Sequence, residues 1–181
     1  MKKAIVIRWL ERSEFARIGE IDRTERIDVI YIQHGALLEE LAGDWSAQPW
    51  RDGEGEHSVG HQHQELLHWA GAGGIALGAF AGGRLVGIGV VVPHLRQRLA
   101  QLAYLHVSDG YRGTGIGGRL SEQLEQIARD AGDSEMVVSA TPSQNTVRFY
   151  LGRGFAPMAN PLAELFELEP EDIHLAKQLG P

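Results

Sequence analysis

The spacing of apolar positions divides the chain into short elements whose period changes along its length. Ala4 to Leu10 is a β-branched run that predicts a first strand. From Ser13 to about Ile21, Phe15, Ile18 and Ile21 recur at a spacing of three, which predicts a helix capped by Ser13. Ile27 to Ile32 reads as a strand and Ala36 to Ala42 as a short helix. Gly43 to Gly60, rich in Gly, Asp, Glu and Trp, reads as a long loop. The pattern sharpens at residue 75. Ile75 to Ala81, the pair Gly82-Gly83 and Arg84 to Val92 predict a hairpin that Pro93 ends. A strand over Leu99 to Val107 runs into a glycine-rich turn, Ser108 to Gly115. Behind it Ile116, Leu120, Leu124, Ile127, Ala128 and Ala131 form one stripe of helical period, with Gly132 as its stop. Met136 to Ala140 reads as a buried strand and Asn145 to Gly152 as a helix. Strands are expected near Gly154–Met158 and Leu165–Glu169, and Pro170 is expected to open a last helix with Glu171 and Asp172 in its first turn. The order of elements gives an α/β (α+β) fold class, a single mixed sheet flanked by helices.

The length of 181 residues predicts one domain over 1–181, and 43% apolar with 23% charged residues is a globular composition. Lys plus Arg number 17 against 24 Asp plus Glu, a net charge of −7, the opposite of the balance a duplex-DNA binder needs. With no cysteine there is no disulfide, thiolate metal site or cysteine nucleophile. The opening MKKAIVIRWLERSE reaches Arg8 and Glu11 too soon for a signal-peptide core, and Leu85 to Pro93, the longest apolar stretch, is about half a membrane span. The expectation is a cytoplasmic protein that engages neither nucleic acid nor membrane.

The chemistry concentrates in Val107-Ser-Asp-Gly-Tyr-Arg-Gly-Thr-Gly-Ile-Gly-Gly-Arg-Leu120. A strand ends, glycines fold the backbone tightly, and a strong helix starts at once. Free N–H groups at a helix N-terminus, with Arg112 beside them, form a ready anion site. The plainer alternative is a tight turn with glycine for conformational reasons alone. Gly113, Gly115 and Gly118 satisfy the dinucleotide pattern G-x-G-x-x-G, but the next strand ends in Ser139-Ala140 without the ribose-binding acid that pattern requires. Gly118-Arg119-Leu120 lacks the Gly-Lys-Ser/Thr of a Walker A loop.

The same residues also read R-x-x-G-x-G, as Arg112, Gly115 and Gly117. With the lead-in Leu105-His-Val-Ser-Asp-Gly-Tyr-Arg112, the stretch resembles the GCN5-related N-acetyltransferase (GNAT) superfamily, in which this motif opens the helix that holds the pyrophosphate of acetyl-CoA. Gly110 departs from the common variants. A second signature, Ser143-Gln-Asn-Thr-Val-Arg-Phe-Tyr-Leu-Gly-Arg-Gly-Phe155, continues the likeness, which covers about residues 75–169 as an acetyl-CoA-binding core. Residues 1–74 match only as strand then helix, and residues 22–74 are expected either to border a variable acceptor site or to form a packed insertion with surface loops.

The resemblance implies a mostly antiparallel twisted sheet, acetyl-CoA as cosubstrate, and direct attack of a primary amine on the thioester with no covalent enzyme intermediate. It implies that backbone groups of Arg112, Gly113, Thr114, Gly115, Ile116 and Gly117 hold the pyrophosphate. Leu105, His106 and Val107 would pair with the pantetheine arm as an added strand does, and the Val107 N–H would face the oxyanion. Tyr150 matches the general acid of many members, although Val147, Tyr150 and Leu151 also share an apolar stripe on which a tyrosine can simply pack. Asn145 is either a cofactor contact or a helix N-cap.

No acid lies on Leu99 to Val107, so the base is either His106 or a water relay. His61, Glu65 and His68 share one helix face at i, i+4 and i+7, but without H-E-x-x-H no metal is expected. The acceptor is a small-molecule or peptide amine. Dimer formation is a habit of the family, and the sequence does not fix a homodimer. The alternative function is a non-catalytic acyl-CoA-binding or regulatory module on the same fold.

Overall fold

In the computed structural model, which describes residues 4–180, seven strands form one mixed sheet and a two-stranded hairpin lies beside it. The strands of the large sheet are β1 (Ile5–Trp9), β4 (Ile75–Ala81), β5 (Arg84–Arg96), β6 (Leu99–Val107), β7 (Glu135–Ala140), β8 (Ala156–Pro157) and β9 (Ile173–Gln178), in the order β1-β4-β5-β6-β7-β9-β8. Among these neighbours only β6 and β7 run parallel. The hairpin is β2 (Glu25–His34) with β3 (Leu37–Ala47). The helices are α1 (Val59–Gly71), α2 (Ile116–Ala131), α3 (Gln144–Gly152) and α4 (Ala163–Leu168). None of the described helices is long and apolar enough to cross a membrane.

Strand alternation sorts the sheet's apolar residues into two clusters. Leu77, Ala79, Val86, Leu102, Met136, Val138, Ile173 and Leu175 join the stripes of α2 and α3 on one face. Ala76, Phe80, Leu85, Ile88 and Tyr104 face Phe15, Ile18, Trp50 and Leu66 on the other. The α2 stripe packs closely on β5 because Gly89 has no side chain; a Cβ there would stand 2.6 Å from Leu124. That approach fixes where the helix begins relative to the strand before it.

Several expectations need correction. The element after β1 is a 3-10 helix, Arg12–Glu20. A spacing of three is the period of that helix, and it also brings Arg17 against Glu14 and Glu20, at 3.3 and 2.7 Å. The helix expected over 36–42, and the first part of the expected loop, are strand β3. Leu-Leu-Glu-Glu-Leu forms helices readily, but nine cross-strand pairs with β2 override that local preference. Pro93 does not end β5. The ladder with β6 breaks after Val92–Gln101 and resumes at Arg96–Leu99, so the proline sits in an irregularity where no N–H is needed. At the C-terminal end the expected order is reversed. Residues around Leu165 form α4, with Leu162 and Leu165 turned into a small cluster, and Pro170 precedes a turn into β9 rather than a helix. Gly154–Met158 pairs only as Ala156–Pro157.

Candidate functional site

The parallel pair β6–β7 is short. It joins Leu99, Ala100 and Gln101 to Glu135, Met136 and Val137, and beyond these the two strands part. A bulge helps to turn β6 away: Val90 pairs with Tyr104 and Val91 with Leu102, leaving Ala103 as an extra residue. Because the Ser108 N–H bonds Val86 O at 2.9 Å, the antiparallel alternation commits the backbone of His106 to Ile88 and that of Tyr104 to Val90. The N–H and C=O groups of Leu105 and Val107 therefore point to the opposite edge, where no described strand pairs with them beyond Gln101. The result is a wedge with one strand edge open.

The turn Ser108–Gly115 closes the wedge on the α2 side. The Ser108 hydroxyl accepts the Asp22 N–H at 2.9 Å, and the Asp109 N–H donates to Asp22 O at 2.6 Å. Arg112 donates to the carbonyls of Val107, at 3.1 Å, and Thr24, at 2.7 Å, so its guanidinium ties the turn to the chain ahead of β2. The sequence pattern had set that cation beside an anion; the structure spends its hydrogen bonds on carbonyls. Gly113 has φ +71° and Gly115 φ +86°. Gly115 is the N-cap of α2 and supplies no side-chain acceptor, which leaves the first N–H groups, from Ile116 onward, without a side-chain cap. Ile116 turns its side chain into the core, and the Thr114 hydroxyl donates to Tyr111 O at 2.5 Å. Backbone is what this turn presents.

Arg153 and Tyr150 come from α3 and its end. Arg153, just past the helix, donates from Nη2 to Glu122 at 3.0 Å and places Nη1 3.0 Å from the position of a Cβ on Gly118, in the first turn of α2, while its Nε is buried without a partner. The sequence reading missed it, because only the packing of α3 on α2 makes them neighbours. Tyr150 is 4% exposed and stacks edge-on against Phe149 and Phe155, with centroids 5.1 and 5.4 Å away. Burial first, then the negative charge of Asp172, holds its hydroxyl well above the ordinary phenol range. Asn145 is not the N-cap of α3. Ser143 takes that position through the Thr146 N–H, and Asn145 donates to Glu25 of β2 at 2.8 Å, beside a cavity of about 180 Å³.

The opposite face of the wedge is aromatic and acidic. Tyr104 donates to Gln62 of α1 at 2.5 Å, and its ring lies 4.6 Å from His106, which meets Trp50 edge-on at 5.2 Å. Desolvation, followed by the nearby Arg23 and Arg112 charges, pushes the His106 imidazole down to about 4. It is neutral at physiological pH and a poor base. Asp172 is raised to about 7 by burial and then by Glu169 and Glu171, while Glu169 is itself raised by burial and then by Glu56 and Glu65. Carboxylates from the loop before α1 and from α1 thus bear on Glu169, in the turn before β9. His61 approaches Glu65 at 4.0 Å, and among the described residues no set of three such side chains is arranged to hold a metal.

A sequence profile of the acetyltransferase (GNAT) family matches residues 37–155, about two thirds of the chain and the whole of the wedge-forming segment. The chain belongs to that family. The match starts in β3, well ahead of the hairpin at which the sequence likeness was expected to begin. Mouse N-acetyltransferase 8B is 39% identical over 82 residues, which cover 42% of this chain and 35% of the mouse protein. The chain therefore aligns with about a third of the length of that curated relative. Among solved structures, a nourseothricin acetyltransferase superposes with a TM-score of 0.72 at 16% identity, over 97% of this chain and 99% of that one. PaiA N-acetyltransferase from Thermoplasma acidophilum, in complex with coenzyme A, superposes with a TM-score of 0.62 at 17% identity, over 97% and 99%. At such identities the superpositions establish the GNAT fold: a mostly antiparallel mixed sheet flanked by helices.

Proposed function

We propose that this GNAT chain transfers the acetyl group of acetyl-CoA to a primary amine by direct attack. The observation that carries the reading is the wedge itself: an open strand edge at Leu105 and Val107 that leads into the uncapped N-terminus of α2. Pantetheine carries amide groups that suit an unpaired strand edge, and a pyrophosphate suits a helix N-terminus built from glycines. The residues present fit that group. Backbone of Arg112, Gly113, Thr114, Gly115, Ile116 and Gly117 would hold the phosphates, with Arg153 as the adjacent cation. The Val107 N–H, turned away from β5, would stabilise developing negative charge on the carbonyl oxygen. Tyr150 would protonate the departing sulfur; its surroundings keep the proton in place until the thiolate forms, and also make it a weaker acid than a free phenol. The acids around Glu56, Glu65 and Glu169, beside Trp50 and Tyr104, suit an acceptor that carries positive charge.

Calorimetry with acetyl-CoA and coenzyme A, followed by thiol release with an amine panel, tests this reading. Binding of both, loss of binding in Gly115→Glu, and thiol release dependent on an added amine are the expected results. Binding without thiol release would support a non-catalytic acyl-CoA-binding module. Absence of binding would sink both.

A further inference from the structure

The strand before the glycine turn presents no carboxylate to the wedge, and its imidazole, His106, is held neutral against Trp50 and Tyr104. An acid arrives instead from the other end of the chain. β9 begins at Ile173, which pairs with Ala140, the last residue of β7. Ala140 lies three residues past Val137, the last residue of β7 that pairs with β6, so the residue before Ile173 is level with the open part of the wedge, on the far side of β7. Ile173 and Leu175 point into the cluster that contains Tyr150, and alternation sends His174 to the opposite face; Asp172 lies in the bend just before the strand.

The turn is held from both sides. The Asp172 N–H donates to Glu169 O at 3.2 Å, and His174 Nε2 donates to the same carbonyl at 3.0 Å. That bond fixes the tautomer, so Nδ1 accepts the Ser139 hydroxyl of β7, 3.3 Å away. The Asp172 carboxylate is half-buried, and Glu169 and Glu171 are the charges that act on it, both negative. A half-buried carboxylate with acidic neighbours is a costly arrangement that a cationic ligand relieves. The Asp172 charge also bears on the Tyr150 hydroxyl, after burial, and no hydrogen bond to another described residue contributes to that shift.

We propose that Asp172 is the general base of the reaction, receiving the acceptor's ammonium group and taking its proton. The assignment rests on the acetyl-transfer reading above and supplies the group that β6 lacks. The ammonium nitrogen passes one proton to Asp172 and becomes a free amine. Its N–C bond forms as the C–S bond breaks, and the leaving sulfur takes the Tyr150 proton. The second proton on the nitrogen restores the phenol, and Asp172 releases its proton to water. One proton leaves overall, as amide formation from an ammonium requires. The raised affinity of Asp172 for protons, close to neutrality, matches a base that must be ionised yet accept a proton near physiological pH.

The test uses the full chain with acetyl-CoA and three acceptor probes: 1,4-diaminobutane, spermidine and nourseothricin. Thiol release is followed across pH, and acetyl-CoA affinity is measured in parallel. For any probe the wild-type protein acetylates, Asp172→Asn should lower kcat on the order of 100-fold and abolish the acidic limb near pH 7, with acetyl-CoA affinity unchanged. Asp172→Glu should recover part of the rate. Glu169→Gln should move the limb to lower pH, because a negative neighbour has been removed. Turnover by Asp172→Asn within about threefold of wild type, on an unchanged pH profile, overturns the assignment and leaves acetyl transfer standing. Wild-type protein that binds acetyl-CoA but releases no thiol with any probe overturns the transfer reading, and the base with it.

Discussion

Tyr150 shows how much one side chain can reveal before its surroundings are known. Its place in the second signature identified it, and the structure adds why a proton would stay on it: burial against Phe149 and Phe155, with Asp172 nearby. Tyr150→Phe keeps the ring stacking and removes only the hydroxyl. The expected result is a fall in kcat on the order of 10²-fold with acetyl-CoA affinity and thermal stability nearly unchanged; an equal loss of affinity would assign the hydroxyl to binding. Gly115 was legible for a related reason, since a left-handed N-cap with no side chain is what a motif glycine at a helix start predicts. Gly115→Ala tests strain alone and should cost about 1 kcal/mol, whereas Gly115→Glu adds a charge where an anion is expected and should abolish acetyl-CoA binding. Comparing the two separates conformation from electrostatics. Arg153 and Asp172 were not legible, because each owes its meaning to a neighbour distant in sequence: Gly118 and Tyr150 respectively.

Elements were readable where a single periodicity decided them. The α2 stripe, β4 and the start of β5 fall where the pattern put them, and β6 has the expected bounds. The failures share a cause: Leu37–Leu41 and residues 163–178 take their form from partners rather than from local preference. The tie between α2 and β9 is one such long-range partnership. Glu125 is 3% exposed and lies 2.7 Å from Lys177, 3.4 Å from Arg129 and 3.2 Å from the Ser121 hydroxyl. Lys177 retains some contact with water, so the two partners are not equivalent. Lys177→Met removes the nearer of two cations from a buried carboxylate that keeps Arg129 and should cost about 2 kcal/mol in urea unfolding; Glu125→Gln, which keeps an acceptor for the lysine, should cost clearly less. Equal losses would mean that burial of Glu125 contributes nothing of its own. Because β9 leads out of the Asp172 turn, loosening this tie should also lower activity before it unfolds the protein.

At the scale of the whole molecule, the site leaves a mark on stability that pH can read. His106 falls from 6.5 in the unfolded chain to about 4, so the unfolded state binds more protons between those values. Its contribution is present above pH 6.5 and is lost as the pH falls toward 4, with a ceiling of about 3 kcal/mol. Asp172 has the opposite sign. Its rise from 3.8 to about 7 makes the folded state the better proton binder in that window, so stability declines as pH rises through it, by at most about 4 kcal/mol. Glu14, lowered to about 2, acts in more acidic solution; in the range from about pH 5 to 8, His174, lowered by burial, adds to the slope of His106, and Glu169, raised by burial and then by Glu56 and Glu65, adds to that of Asp172. Within it the wild-type melting temperature should vary little. His106→Gln should expose the decline caused by Asp172, and Asp172→Asn should expose the rise caused by His106. Asp172→Asn should also be the more stable protein at pH 8, because it no longer carries a half-buried charge among other acids. A variant that gains stability while losing turnover is the behaviour of a residue retained for chemistry. If Asp172→Asn instead melts lower than wild type at pH 8, the carboxylate is holding the turn before β9 together, and its cost to the fold has been misjudged.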